Sequence, residues 1–76
     1  IMDIQKLIET ADFGDMFLTR EHHKALFLRT CENSEWKMAD FYVEGWGQIR
    51  VDRTNGRVLP YVSDENQAFN DIISKA

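Results

Sequence analysis

Cys31 is the only cysteine in these 76 residues, so no disulfide within the chain can staple the fold. Disulfides belong to oxidising compartments, and their absence points to a reducing, cytoplasmic setting. Proline occurs once and glycine four times, which leaves no material for a flexible linker or a low-complexity tract. No apolar run approaches the roughly 18 residues of a membrane-spanning helix. Residues 1–20 lack both a basic segment and an apolar core, so no secretory leader is expected.

Cations are also scarce. Nine Lys and Arg against thirteen Asp and Glu give a net charge of −4. Nucleic-acid binders draw their affinity from clustered Lys and Arg, so a dedicated one is not expected. The nearest approach is Arg50, Arg53 and Arg57, which Asp52 interrupts. Nor does a phosphate-binding loop run through Gly14, Gly45, Gly47 and Gly56, because no P-loop or dinucleotide pattern connects them.

What remains is the composition of a globular protein, 43% hydrophobic and 12% aromatic, in a length that suits one domain, residues 1–76. A chain this short buries only about 60–65% of its unfolded surface, so every apolar face matters.

Ile4, Leu7, Ile8 and Ala11 fall at i, i+3, i+4 and i+7 and predict a helix from Asp3, a good N-cap, to Ala11. Residues 16–20 and 25–31 are rich in strand formers and flank the polar "EHHK", which predicts a hairpin. The rival reading is a single helix over residues 20–31, because Ala, Leu, Lys and Arg are good helix formers. Phe27 and Thr30 favour strand. "ENSE" (32–35) marks a turn, residues 36–44 the longest strand, "GWG" (45–47) a bend, and residues 48–52 an alternating strand.

Asn55-Gly56 signals a further hairpin into "RVLPY". A two-residue loop would set Val58 and Pro60 beside Ile49 and Val51. A three-residue loop sets Leu59 and Tyr61 there, and is preferred because those side chains bring more apolar area. Ser63 then opens a last helix, with Asp64 and Glu65 at its positive end and an apolar stripe of Ala68, Phe69, Ile72, Ile73 and Ala76. The expected fold class is α+β: a small antiparallel sheet of four or five strands flanked by N- and C-terminal helices, in the order α-β-β-β-β-β-α.

The adjacent His22 and His23 invite a metal reading. On a strand they point to opposite faces, and a structural zinc needs four ligands while a catalytic one needs three and a water. Cys31 is the only thiol and falls at the far end of the hairpin, so the expectation is a loop tip with no metal. Cys31 as a nucleophile would need a neighbouring base or helix N-terminus, and nothing nearby supplies one. Asp40 is unusual inside a strand. An enzyme built on it would need a paired carboxylate in a cleft, whereas a structural role needs only an arginine such as Arg29 or Arg50.

The aromatic residues carry more information. Trp36, Met38, Asp40 and Tyr42 alternate onto one face of their strand, and Lys37, Ala39, Phe41 and Val43 onto the other. In residues 25–31, Leu26 and Leu28 fall on one face, with Ala25, Phe27 and Cys31 opposite. If the helices cover the Phe27, Phe41 and Val43 side, then Trp36, Met38 and Tyr42 lack cover. Exposed apolar patches of this kind mark interaction surfaces. If the helices instead take opposite faces, these residues are core.

The reading is a non-catalytic, cytoplasmic protein-interaction module. It acts as a homodimer, adaptor or inhibitor through an aromatic sheet face or edge, with Trp36, Met38, Tyr42 and Trp46 as contacts. The alternative is a small-ligand or single-stranded nucleic-acid module that stacks bases on aromatics beside Arg50, Arg53 and Arg57. Neither reading implies a cofactor or a membrane.

Overall fold

Asp3 starts the first element by accepting a hydrogen bond from the Gln5 amide at 3.1 Å, an N-cap that satisfies one of the helix's orphan donors. The computed structural model describes residues 3–59 and 68–76. Helix α1 covers Ile4–Glu9, and Thr10 closes it with its amide and hydroxyl both donating to the Lys6 carbonyl. Its apolar stripe faces inward as the spacing predicts: Ile8 is buried, and Ile4, Leu7 and Ala11 pack beside it.

Five strands follow among the described residues: β1 (Met16–Thr19), β2 (Lys24–Glu32), β3 (Lys37–Val43), β4 (Gly47–Asp52) and β5 (Ile72–Lys75). They form one antiparallel sheet in the order β4-β3-β2-β1-β5. Residues 20–31 are therefore hairpin and not helix. His22 and His23 lie in the exposed connection between β1 and β2, and His22 takes a left-handed conformation there with φ 64°.

Period-two alternation gives the sheet two unlike faces. The inner face carries Phe17, Ala25, Phe27, Ala39, Phe41, Val43, Ile49 and Val51, all buried with Ile8 and Ile72. At its centre three rings from adjacent strands meet. Phe17 stands 5.2 Å from Phe41 and Phe27 stands 5.4 Å from Phe41, both edge to face. Such pairs add about 0.5–1.5 kcal/mol each beyond their buried area.

Among the described residues there is no C-terminal α-helix, so the sheet is not flanked by two helices as expected. Ser63, its expected N-cap, lies outside the described residues. Beyond them the chain makes one 3-10 turn, Ala68–Asn70, and then strand β5. The sheet edge offered by β1 decides the outcome. Leu18 pairs with Ser74 and Phe17 with Lys75, and the Ala76 amide donates to the Met16 carbonyl. In a helix Ile72 and Ile73 would share a face. As a strand, Ile72 enters the core and Ile73 turns outward, and both are β-branched residues that suit extended backbone.

The strand expected over 57–61 is likewise reduced, among the described residues, to a single bridge between Val58 and Val51; Pro60 and Tyr61 lie outside the described residues. The loop is one residue longer than the preferred three. The Asp52 amide donates to the Arg57 carbonyl, and residues 53–56 make the turn. Val58, rather than Leu59, is consequently the residue buried against Val51. Side-chain carboxylates set this register: Asp52 accepts from both the amide and the hydroxyl of Thr54, and Asp71 accepts from the Val58 amide at 3.0 Å.

Strand β2 departs from strict alternation. Phe27 opposes Phe41, but the next pair is Arg29 with Asp40, so Leu28 is an inserted bulge residue. Beyond the bulge every side chain changes face. Arg29 and Cys31 arrive beside Asp40 and Met38 on the outer face, where simple alternation had set Cys31 with Phe27.

Candidate interaction surface

The outer face begins with a pairing that three strands share. Arg29 on β2, Asp40 on β3 and Arg50 on β4 are direct cross-strand partners. The Asp40 side chain is 0% exposed, although it lies on the face that α1 does not cover. Arg50 grips it through two hydrogen bonds, Nε to Oδ1 at 2.8 Å and Nη2 to Oδ2 at 3.2 Å. Arg29 Nη2 approaches Oδ2 at 2.9 Å. The hydrogen bonds and charge of Asp40 push the Arg50 guanidinium above its ordinary value, with a smaller contribution from Cys31. The two guanidiniums cover the carboxylate, and the Arg29 and Arg50 side chains stay 59% and 48% exposed.

Two shallow apolar grooves lie on either side of this charged row. The first, of about 290 Å³, is lined by Met16, Leu26 and Tyr42, with Lys24, Glu44 and Gly45 around it. Register explains the grouping, because Met16 opposes Leu26 and Leu26 opposes Tyr42 across β1, β2 and β3. Tyr42 is 52% exposed there. The second groove, of about 230 Å³, is lined by Trp36, Met38, Leu59 and the side of Arg50. Trp36 is delivered to it by a tight turn in which the Asn33 carboxamide oxygen accepts from the amides of Glu35 and Trp36.

Of the four aromatic and methionine residues singled out in the sequence, Trp36, Met38 and Tyr42 share the outer face. Met38 is nearly covered, Trp36 half-buried and Tyr42 open. Trp46 stands apart. It sits in the turn between β3 and β4, and its ring meets Phe69 edge to face at 5.0 Å.

Nor do the three arginines form one strip. Arg50 belongs to the outer face. Arg53 is buried beneath α1's end of the molecule, with Glu32 at 3.2 Å and Glu9 at 3.6 Å. Arg57 is exposed on the turn that follows. His22 and His23 are at one end of β2 and Cys31 near the other, and among the described residues no three His, Cys, Asp or Glu side chains gather as a metal would require.

Sequence reading named Arg29 and Arg50 as partners for Asp40, as the structure shows, but did not count Arg29 or Leu26 among the contacts of this surface. Leu26 was legible, since it alternates with Phe27 and pairs with the Tyr42 row. Alternation alone puts Arg29 on the other face, because its position depends on one bulge. No helix among the described residues is long and apolar enough to cross a membrane. No protein-family model, curated protein or solved structure matches the chain, which leaves the chemistry of this surface as the guide to its role.

Proposed function

We propose that the chain is a non-catalytic protein-interaction module, and that its outer sheet face is the docking surface for another protein chain or a second copy of itself. One observation carries the reading. The same sheet buries its Phe17, Phe27 and Phe41 face completely, while its opposite face leaves the Met16–Leu26–Tyr42 row under solvent. Half-exposed Tyr and Met beside arginines are the residues that interface cores favour. Shallow open grooves suit a protein surface better than they suit the enclosure of a small substrate.

Sedimentation velocity on the pure chain and on Tyr42→Ala tests the self-association branch, and selection of binding peptides against both proteins tests the other. The reading holds if an assembly or a selected binder is lost in Tyr42→Ala while the variant stays folded. A chain that stays monomeric and yields no Tyr42-dependent binder overturns it.

A further inference from the structure

The grooves give the outer face its place for a partner, and the row between them gives that partner a chemistry. Arg50 alone already meets both oxygens of Asp40. Arg29 therefore adds a second cation to a carboxylate that is fully paired. Each guanidinium has five N–H donors, and the atoms that face Asp40 are Nε and Nη2 of Arg50 and Nη2 of Arg29. The remaining donors belong to two half-exposed groups. Two other carboxylates belong to this face: Asp52 is buried and accepts from Thr54, and Glu44 is exposed at the rim of the Tyr42 groove, where Lys24 also lies. At the row between the grooves the acid lies beneath and the cations above, so the centre of the face is cationic toward a partner even though the whole chain carries −4. Because Asp40 holds both guanidiniums in place, little side-chain freedom is left to lose on binding.

We propose that this face takes an extended segment of another protein, in which a carboxylate side chain lies between two apolar side chains. The acid meets the outward N–H groups of Arg29 and Arg50 as a charge-assisted pair. The apolar side chains enter the groove at Tyr42 and the groove at Trp36 and Met38. Spacing makes the motif specific. Met38, Asp40 and Tyr42 follow one another on alternate positions of β3, and strand rise is about 3.3 Å per residue, so Tyr42 in the first groove and Met38 in the second stand about 13 Å apart along the strand. An extended partner running along β3 spans that distance with apolar residues at i and i+4 and the acid at i+2, all on one side of its backbone. A second copy laid face to face would instead bring arginines against arginines, which opposes that arrangement.

This inference rests on the outer face being the docking surface, and one experiment separates the two. Random short peptides displayed on phage are selected on the folded chain, and the enriched sequences are synthesised for affinity measurement. The expected enrichment is an apolar residue, any residue, Asp or Glu, any residue, and a second apolar residue. Replacing the peptide's acid by its amide, a change that leaves the protein untouched, should weaken binding by about tenfold, as a lost charge-assisted contact does. Arg29→Gln should do the same, and in that variant Arg50 still holds Asp40 and the fold. Added salt should weaken the wild-type complex and spare the amide peptide. Binders that need Tyr42 but show no acid preference, or that carry helical spacing, overturn the inference and leave the docking surface standing. A dimer whose interface includes Tyr42 does the same. Selection that yields nothing dependent on Tyr42 overturns both.

Discussion

Arg29 lies opposite Asp40, and its Nη2 stands 2.9 Å from the Asp40 Oδ2. The pair exists because Leu28 bulges out of β2; the Arg50 contact on the other side needs no such device. Asp40 has two cationic partners, so losing one leaves the carboxylate compensated and losing both does not. Leaving the Asp40 carboxylate buried with no countercharge costs about 3–5 kcal/mol. The expected pattern is non-additive: Arg29→Gln and Arg50→Gln are each mild, and the double variant loses far more than their sum. Adding Asp40→Leu to the double variant should recover much of that loss. Urea midpoints for the five proteins check this, and additive singles would show that the carboxylate is hydrated instead.

Phe41 and Tyr42 are neighbours in sequence and sit on opposite faces. Phe41→Ala removes the ring on which Phe17 and Phe27 both pack, at a cost of about 3–5 kcal/mol. Domains hold about 0.05–0.15 kcal/mol per residue, so this change should remove from about a quarter of the total to all of it. Tyr42→Ala should cost about 1 kcal/mol or less, in line with substitutions outside the core. Comparable losses at the two positions, measured by denaturant unfolding, would mean that the outer face is also core.

The Asp15 carboxylate joins the loop before β1 to the end of the sheet, accepting from the Asp12 amide at 2.9 Å and lying 3.5 Å from Lys75 Nζ. The backbone hydrogen bond from Asp12 is the main cause that holds its pKa below the ordinary carboxylate value; partial desolvation opposes the shift and Lys75 assists it. A depressed folded-state pKa gives stability that is complete above the unfolded value, about 3.9, and is lost as pH falls through the folded value below it. Asp15→Asn should therefore lower the melting temperature by a constant amount from pH 7 down to about pH 5. The gap to the wild type should close below about pH 4. A gap that persists into acid would assign the loss to packing and not to charge.

Much of the molecule is legible in its sequence where one local rule governs. The α1 stripe with its Asp3 cap, the hairpin tip at His22 and His23, and the shared face of Trp36, Met38 and Tyr42 follow from periodicity alone. Legibility fails where a long-range partner outweighs a local pattern. Phe69, Ile72, Ile73 and Ala76 fit a helix stripe, yet the open edge of β1 takes Ile72–Lys75 as a strand. A single inserted residue, Leu28, leaves no mark in alternation but reassigns Arg29 and Cys31 to the outer face. The turn after β4 is four residues long because Asp52 and the distant Asp71 hold its amides, and nothing near Asn55 announces that.

Gly56 is where that turn meets the last strand. Its carbonyl accepts from the Ile72 amide at 2.8 Å, its φ is 77°, and a Cβ built there would overlap the Ile72 carbonyl oxygen. Alanine therefore suffers twice at this position: from the left-handed conformation, which costs an L-residue about 1–2 kcal/mol, and from a clash with backbone that cannot rotate away. Gly14 also has a positive φ, 93°, but open space where its Cβ would go. Gly56→Ala should thus destabilise clearly more than Gly14→Ala. Asp71 ties the same joint, since its carboxylate accepts from the Val58 amide and from Arg20 Nη2 at 3.1 Å. Asp71→Ala should free the turn to move from Ile72, so that Gly56→Ala costs less in the Asp71→Ala background than alone. Thermal unfolding of the singles and the double checks the coupling. Equal losses for the two glycines, or strict additivity of Gly56→Ala with Asp71→Ala, would show that the turn does not press on β5.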